Sequence, residues 1–273
     1  MKENLTESRY LMQGRVCQNS NFKYNGNHCP SCGQKYLEGR FSFTEFIGCF
    51  FDKLFNNEEG FFKTVQELAF NINEMLTKYL RKAAVGYMHP FRFVFLMATI
   101  SAILNVFSGT FESSSILQFL GGFAEGWNNY EPQAERESIQ MLKAVEILET
   151  IKKYFAFILL FNIPLYALGS FLIYYKRRYN FTEHLILNCY ALGLSLLLGI
   201  PLYLLILAEE GLIIYFVINL LVTYLTFALV YRKFFKENLF FSLLKTLIVY
   251  VFLVFIISII VLVRTDIEQS ISG

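Results

Sequence analysis

The residues best suited to chemistry fall in two places. Near the N-terminus lie four of the five cysteines, Cys17, Cys29, Cys32 and Cys49. There, His28-Cys29-Pro30-Ser31-Cys32-Gly33-Gln34 is a C-x-x-C turn followed by glycine. That spacing aims two thiolates at one ion, and glycine relieves the tight backbone behind them. The upstream counterpart is Cys17-Gln18-Asn19-Ser20, with serine, a poor zinc ligand, in its last position. The expected metal centre is a degenerate zinc site with Cys17, Cys29 and Cys32 as ligands, in a structural role, completed by His28 or water. The competing reading is a turn that no longer binds metal. A redox role fits less well, because no thioredoxin-like βαβ pattern surrounds the motif. Cys49 sits beside an apolar helix face and is expected to pack.

The second place is Glu183-His184, directly after Lys176-Arg177-Arg178. Ionisable groups at membrane depth are functional candidates, and a Glu and His pair could relay a proton or hold a cation. Asn188 lies one helical turn beyond His184 and shares its face. The plainer alternative is an interfacial anchor with a polar cap. Helix breakers stand nearby, at Asn162-Ile163-Pro164 and Gly199-Ile200-Pro201; broken membrane helices can offer backbone carbonyls to a ligand, although most membrane prolines only kink. The candidate binding set is therefore Glu183, His184, Asn188 and Asn162. No P-loop, dinucleotide fingerprint or nucleophile elbow is present, so no catalytic set is named and a non-enzymatic role is expected.

These residues must be positioned by membrane helices. The 273 residues are 55% hydrophobic and only 17% charged, against about 25% charged in soluble domains; mean hydropathy is +0.43. The net charge of +2, from 24 basic and 22 acidic residues, is too even to suggest a nucleic-acid partner, and none is expected. Five stretches reach the roughly 20 apolar residues that a crossing needs: Phe91 to Phe107, Tyr154 to Tyr175, Leu185 to Leu207, Leu212 to Tyr231 and Phe240 to Val263. Basic residues recur before the first span (Lys78, Arg81, Lys82), between the second and third, and between the fourth and fifth (Arg232, Lys233, Lys236). Acidic Glu209-Glu210 and an acid-rich loop lie on the other side. The positive-inside rule then expects the N-terminus in the cytoplasm and the C-terminus outside, in the inner (cytoplasmic) membrane. Met1 to Gly26 lacks the apolar core of a signal peptide, so insertion is expected to rely on the spans.

The expected fold is an all-α integral membrane protein of five transmembrane helices. Residues 1–40 form a ribbon-like segment, 41–89 two amphipathic interfacial helices, and 90–273 the bundle with an external helical loop over 108–153. In the first amphipathic helix Phe43, Phe46, Ile47, Phe50, Phe51, Leu54 and Phe55 form one face; in the second, Phe61 to Leu80, apolar residues recur likewise. In the external loop Ile116 to Gly126 and Trp127 are expected at the outer interface. After Pro132, Ile139, Leu142, Val145, Leu148 and Ile151 mark a helix running on into the second span. The Asn-x-Thr triplets at Asn4 and Asn180 read as chance sequons.

Cys17-x-x-Ser20, Cys29-Pro30-Ser31-Cys32-Gly33-Gln34, Arg40, Gly60-Phe61-Phe62-x-Thr64, Tyr79 and Tyr87-x-x-Pro90-Phe91 occur in that order. Together with Phe181-x-Glu183-His184-Leu185-x-x-Asn188-x-Tyr190, this order resembles domain-of-unknown-function family 3667, bacterial multi-span membrane proteins. The resemblance covers about Cys17 to Tyr203. It implies a cytoplasmic zinc ribbon on a helical bundle and no established activity. The chain departs from the family pattern at Ser20, where the ribbon has Cys, at Phe70 to Asn73, where a Pro-Gly break is usual, and at Lys82-Ala83-Ala84, where a Gly-Lys-Arg run is usual. The functional expectation is an adaptor or accessory subunit of a membrane complex, with membrane lipids and a protein partner or second copy as partners. The alternative is a small transporter or channel subunit with a site at the Pro-broken spans near Glu183 and His184.

Overall fold

A computed structural model describes residues 15–34, 39–54, 60–108, 133–207 and 211–272. Asn4, Ile116 to Trp127 and the Glu209-Glu210 pair lie outside the described residues. The chain divides into two compact units, Met1–Arg92 and Phe93–Gly273.

The first unit opens with two short antiparallel strands, β1 (Arg15–Val16) and β2 (Lys23–Tyr24), paired Arg15 to Tyr24 and Val16 to Lys23. Three helices follow: α1 (Phe43–Leu54), α2 (Phe61–Phe70) and α3 (Ile72–Leu80). The single helix expected from Phe61 to Leu80 is in fact two. Asn71 leaves helical geometry at φ −128°, ψ 37°, while its N–H still closes α2 on the Glu67 carbonyl. Asparagine competes with the helix for its own backbone bonds. The apolar stripe survives the break: Leu68, Ile72, Met75, Leu76 and Tyr79 are all buried. Outside this core Phe62 and Phe70 stay 83% and 75% exposed. Glu45 on α1 receives two bonds from the buried Lys82 ammonium, at 3.0 and 3.2 Å. Burial opposes ionisation of Glu45, but hydrogen bonds from Ser42 and Lys82 outweigh it and lower the carboxyl below its usual range.

Gly60, Thr64 and Tyr87 meet at one joint. A methyl on Gly60 would stand 2.9 Å from the Gly86 carbonyl, so only glycine lets those backbones touch. Beside it the Met88 N–H donates to Thr64 Oγ1 at 2.9 Å, and the Tyr87 hydroxyl donates to Glu67 at 2.7 Å.

Among the described residues, five helices are long and apolar enough to cross a membrane. They lie in α4 (Pro90–Phe107), α5 (Gln133–Ile173), α6 (Phe181–Gly199) with its 3-10 continuation (Ile200–Leu207), α7 (Gly211–Phe235) and α8 (Leu239–Ser272). The loop helix does run unbroken into the second span, as α5. Within the bundle α6 is the central element: 61% of its apolar window is buried, against 17% in α8. The outer helices turn Leu220, Leu221, Val251, Val254 and Phe255 outward. So wide an apolar surface suits hydrocarbon, not water. Small residues set the close approaches. At Gly193 a methyl would meet the Phe93 ring at 2.6 Å, and at Gly169 it would meet Val249 and Phe252 at 3.2 Å.

Candidate functional site

The three cysteines expected to hold metal converge: the Sγ atoms of Cys17, Cys29 and Cys32 all lie within 4.8 Å of one another. Two matching turns bring them there. In each, the first cysteine's N–H donates five residues ahead, Cys17 to the Phe22 carbonyl and Cys29 to the Gln34 carbonyl. Its own carbonyl accepts from four residues ahead, from Asn21 and from Gly33. Asn21 and Gly33 both adopt positive φ, 57° and 71°. Ser20 therefore occupies the position equivalent to Cys32, and its Oγ lies 3.3 Å from Cys29 Sγ. His28, expected as a fourth ligand, is exposed and outside the cluster; adjacency to Cys29 aims its side chain elsewhere. Burial alone would raise the Cys17 thiol. Hydrogen bonds from the Ser20 side chain and backbone, the Asn19 backbone and Cys32 overcome that and lower it to about 6. Three close thiols, one readily ionised, are a chemically sound donor set for a soft divalent metal.

The Glu183-His184 pair is split by the fold. Glu183 accepts the Asn180 N–H at 2.8 Å and gives its own N–H to Asn180 Oδ1 at 2.8 Å. This is a reciprocal capping box at the start of α6, so its carboxylate is occupied in starting the helix. His184 and Asn188 turn inward, 1% and 0% exposed. Asn188 Nδ2 donates to the His184 carbonyl at 2.7 Å and to Ser170 Oγ at 2.9 Å. Tyr231 donates to Asn188 Oδ1 at 2.6 Å, and Ser170 Oγ lies 3.0 Å from His184 Nδ1. Three helices, α5, α6 and α7, are tied at this point. His184 Nε2 is buried with no hydrogen-bond partner among the described residues, and the Phe171, Tyr179 and Phe235 rings surround the imidazole. Ser170 and Tyr231 carried no motif and could not be found from sequence.

The third feature is a cleft of about 260 Å³ in the half of the bundle away from the basic loops. Its wall includes Asn105 of α4, Asn162 of α5, Gly199 of α6, Asn219 and Thr223 of α7, and Tyr250 of α8. Pro164 lies inside α5 without ending it. At Gly199 the α-helix does end and tightens to 3-10. Pro201 cannot donate to the Leu197 carbonyl, and the Ile200 N–H takes its place. The turn leaves room for Asn219, whose Nδ2 would lie 3.1 Å from a methyl on Gly199. Asn162, placed by sequence beside Glu183 and His184, lines this cleft instead, its Nδ2 donating to the Ile158 carbonyl at 3.0 Å.

Comparison with known protein families, with curated proteins and with solved structures finds no match. Fold and sites together define a helical protein with, among its described residues, five helices long and apolar enough to cross a membrane, a three-thiol cluster in its first unit and a cleft of mostly apolar wall with three asparagine amides in its second.

Proposed function

We propose that this protein handles a small solute within its bundle, as a transporter or channel subunit. The cleft carries this reading. It is a mostly apolar recess with the amides of Asn105, Asn162 and Asn219 set into its wall, formed where α6 breaks, and an apolar pocket with a few placed polar groups is the usual make-up of a small-molecule site. The basic loops support an inner-membrane orientation with the N-terminus in the cytoplasm, which puts the cleft in the outer half. Single cysteines at Asn219 and Thr223 test the reading by labelling in membranes with an aqueous thiol reagent. The unsubstituted chain gives the background from its own thiols, of which Cys17, Cys29 and Cys189 are buried and Cys32 is half-buried. Labelling at both positions is expected; absence of labelling at both ends the proposal.

A second reading, the adaptor, is favoured by Phe62 and Phe70 on the first unit. Two such exposed rings suit a protein partner, a second copy or the lipid surface. Phe62→Ser with Phe70→Ser should release whatever co-purifies from native membranes while leaving the cleft labelling unchanged. Zinc in the three-thiol cluster, as a structural ion, belongs to the same proposal. So does membership of domain-of-unknown-function family 3667, supported by the joint of Gly60, Thr64 and Tyr87.

A further inference from the structure

We infer that the cleft takes an uncharged, hydroxyl-rich small solute, of the polyol or sugar class. This rests on the solute-site reading above and names its substrate class.

The first argument is charge. Among the described residues that line the cleft none is Asp, Glu, Lys, Arg or His. An ion entering it would exchange water for neutral dipoles with no counter-charge, and burying an unpaired ion is among the costliest steps available.

The second is hydrogen-bond sense. The wall offers the amides of Asn105, Asn162 and Asn219 and the hydroxyls of Tyr203, Tyr215 and Thr223. Every one of these groups both donates and accepts. A carboxylate only accepts and an ammonium only donates, so either would waste half the wall. A ligand hydroxyl does both.

The third is unused capacity. Asn105 spends its Nδ2 on the Ser101 carbonyl, at 2.8 Å, and on the Tyr203 hydroxyl; its Oδ1 makes no bond among the described residues. Asn162 uses one N–H on its own helix, which leaves its other N–H and its carbonyl. An acyl chain in the cleft would leave these amide groups unpaired.

The fourth is the remaining wall, which is mostly apolar: Leu159, Leu192, Leu196 and Leu220 stand with the Phe155, Tyr166 and Phe216 rings, and the rings offer flat faces to the C–H side of a polyol or sugar ring.

The test is equilibrium binding of radiolabelled xylitol, glucose, glucuronate and glucosamine to the full chain in lipid nanodiscs. Saturable binding of a neutral solute is expected, with the two charged sugars weaker by about ten-fold or more. Asn162→Leu should weaken the neutral solute by a similar factor. That variant loses only a bond to its own helix, so the bundle keeps its fold, and Asn219→Leu serves as a second variant with its unfolding temperature checked. Charged sugars binding as tightly as glucose would overturn the class. So would the absence of saturable binding by either neutral solute, or a co-purifying lipid that blocks it. Thiol labelling at Thr223 separates the two failures. If Thr223→Cys is labelled and binding contradicts the class, the class alone falls; if it is not labelled, the cleft is dry and the solute reading falls with it.

Discussion

Asn188 is the residue on which the helix-binding network turns. It gives two hydrogen bonds and takes one, to α5, α6 and α7. Interhelical hydrogen bonds in membranes average about 0.6 kcal/mol each, but removing this amide also strands Tyr231 and Ser170. Asn188→Leu is expected to destabilise the bundle by about 2 kcal/mol, read from unfolding in mixed detergent. Glu183→Ala should cost only about 1 kcal/mol, the worth of a cap. Near-equal losses would contradict the different roles drawn here. The sequence brought out His184 and Asn188 through their four-residue spacing and offered a polar helix cap as the alternative role at this point, the role Glu183 takes. Adjacent residues on a helix point about 100° apart, so Glu183 was free to cap while His184 turned inward. At the metal cluster the matching turns make Ser20 the missing fourth ligand. Ser20→Cys should retain zinc against a chelator that strips the natural chain, measured by metal analysis after dialysis.

At the scale of elements, the loop joining α7 to α8 is anchored by one carboxylate. Glu237 accepts from Arg177 at 2.9 Å and from Lys245 at 2.6 Å. It thereby joins the connection between α5 and α6 to the start of α8. Burial opposes its ionisation, yet bonds from Lys245 and Arg177 prevail and lower its carboxyl below the usual carboxylate value. A lowered folded-state value stabilises the fold above the unfolded carboxyl's titration, near pH 4 to 5. That contribution disappears as pH falls through the lower folded-state value. Glu237→Gln should therefore lower the melting temperature at pH 7 and narrow the gap to the natural chain as the medium is acidified below pH 4. A constant gap over that range would show that the charge contributes nothing. Helix boundaries divided into legible and hidden ones. The five spans came from hydropathy, since nothing else satisfies a backbone in hydrocarbon. The break at Asn71 did not, because the apolar stripe runs through it unaltered and only the backbone departs.

For the whole molecule, the orientation proposed from the basic loops is directly testable. Cysteines near Glu131 and after Arg264 should react with an impermeant reagent from outside, and one at Arg177 should not; the opposite pattern would invert the protein. The sequence by itself marked five segments long and apolar enough to cross a membrane, a C-x-x-C turn near the start and a shared helix face for His184 and Asn188. Hydropathy, C-x-x-C spacing and helical periodicity are local properties, and local chemistry is enough to enforce them. Tertiary structure alone decided which polar groups meet. The cleft gathers Asn105, Asn162 and Asn219 from three helices, and Ser170, Asn188 and Tyr231 come from three more turns far apart in the chain. No window of sequence holds them together. Their meeting depends on how helices rotate about their axes, which is set by close approaches such as Gly193 against Phe93 and Gly169 against Val249. Each such contact is a sum of weak packing forces over side chains distant in sequence, and that sum exists only once the bundle has closed.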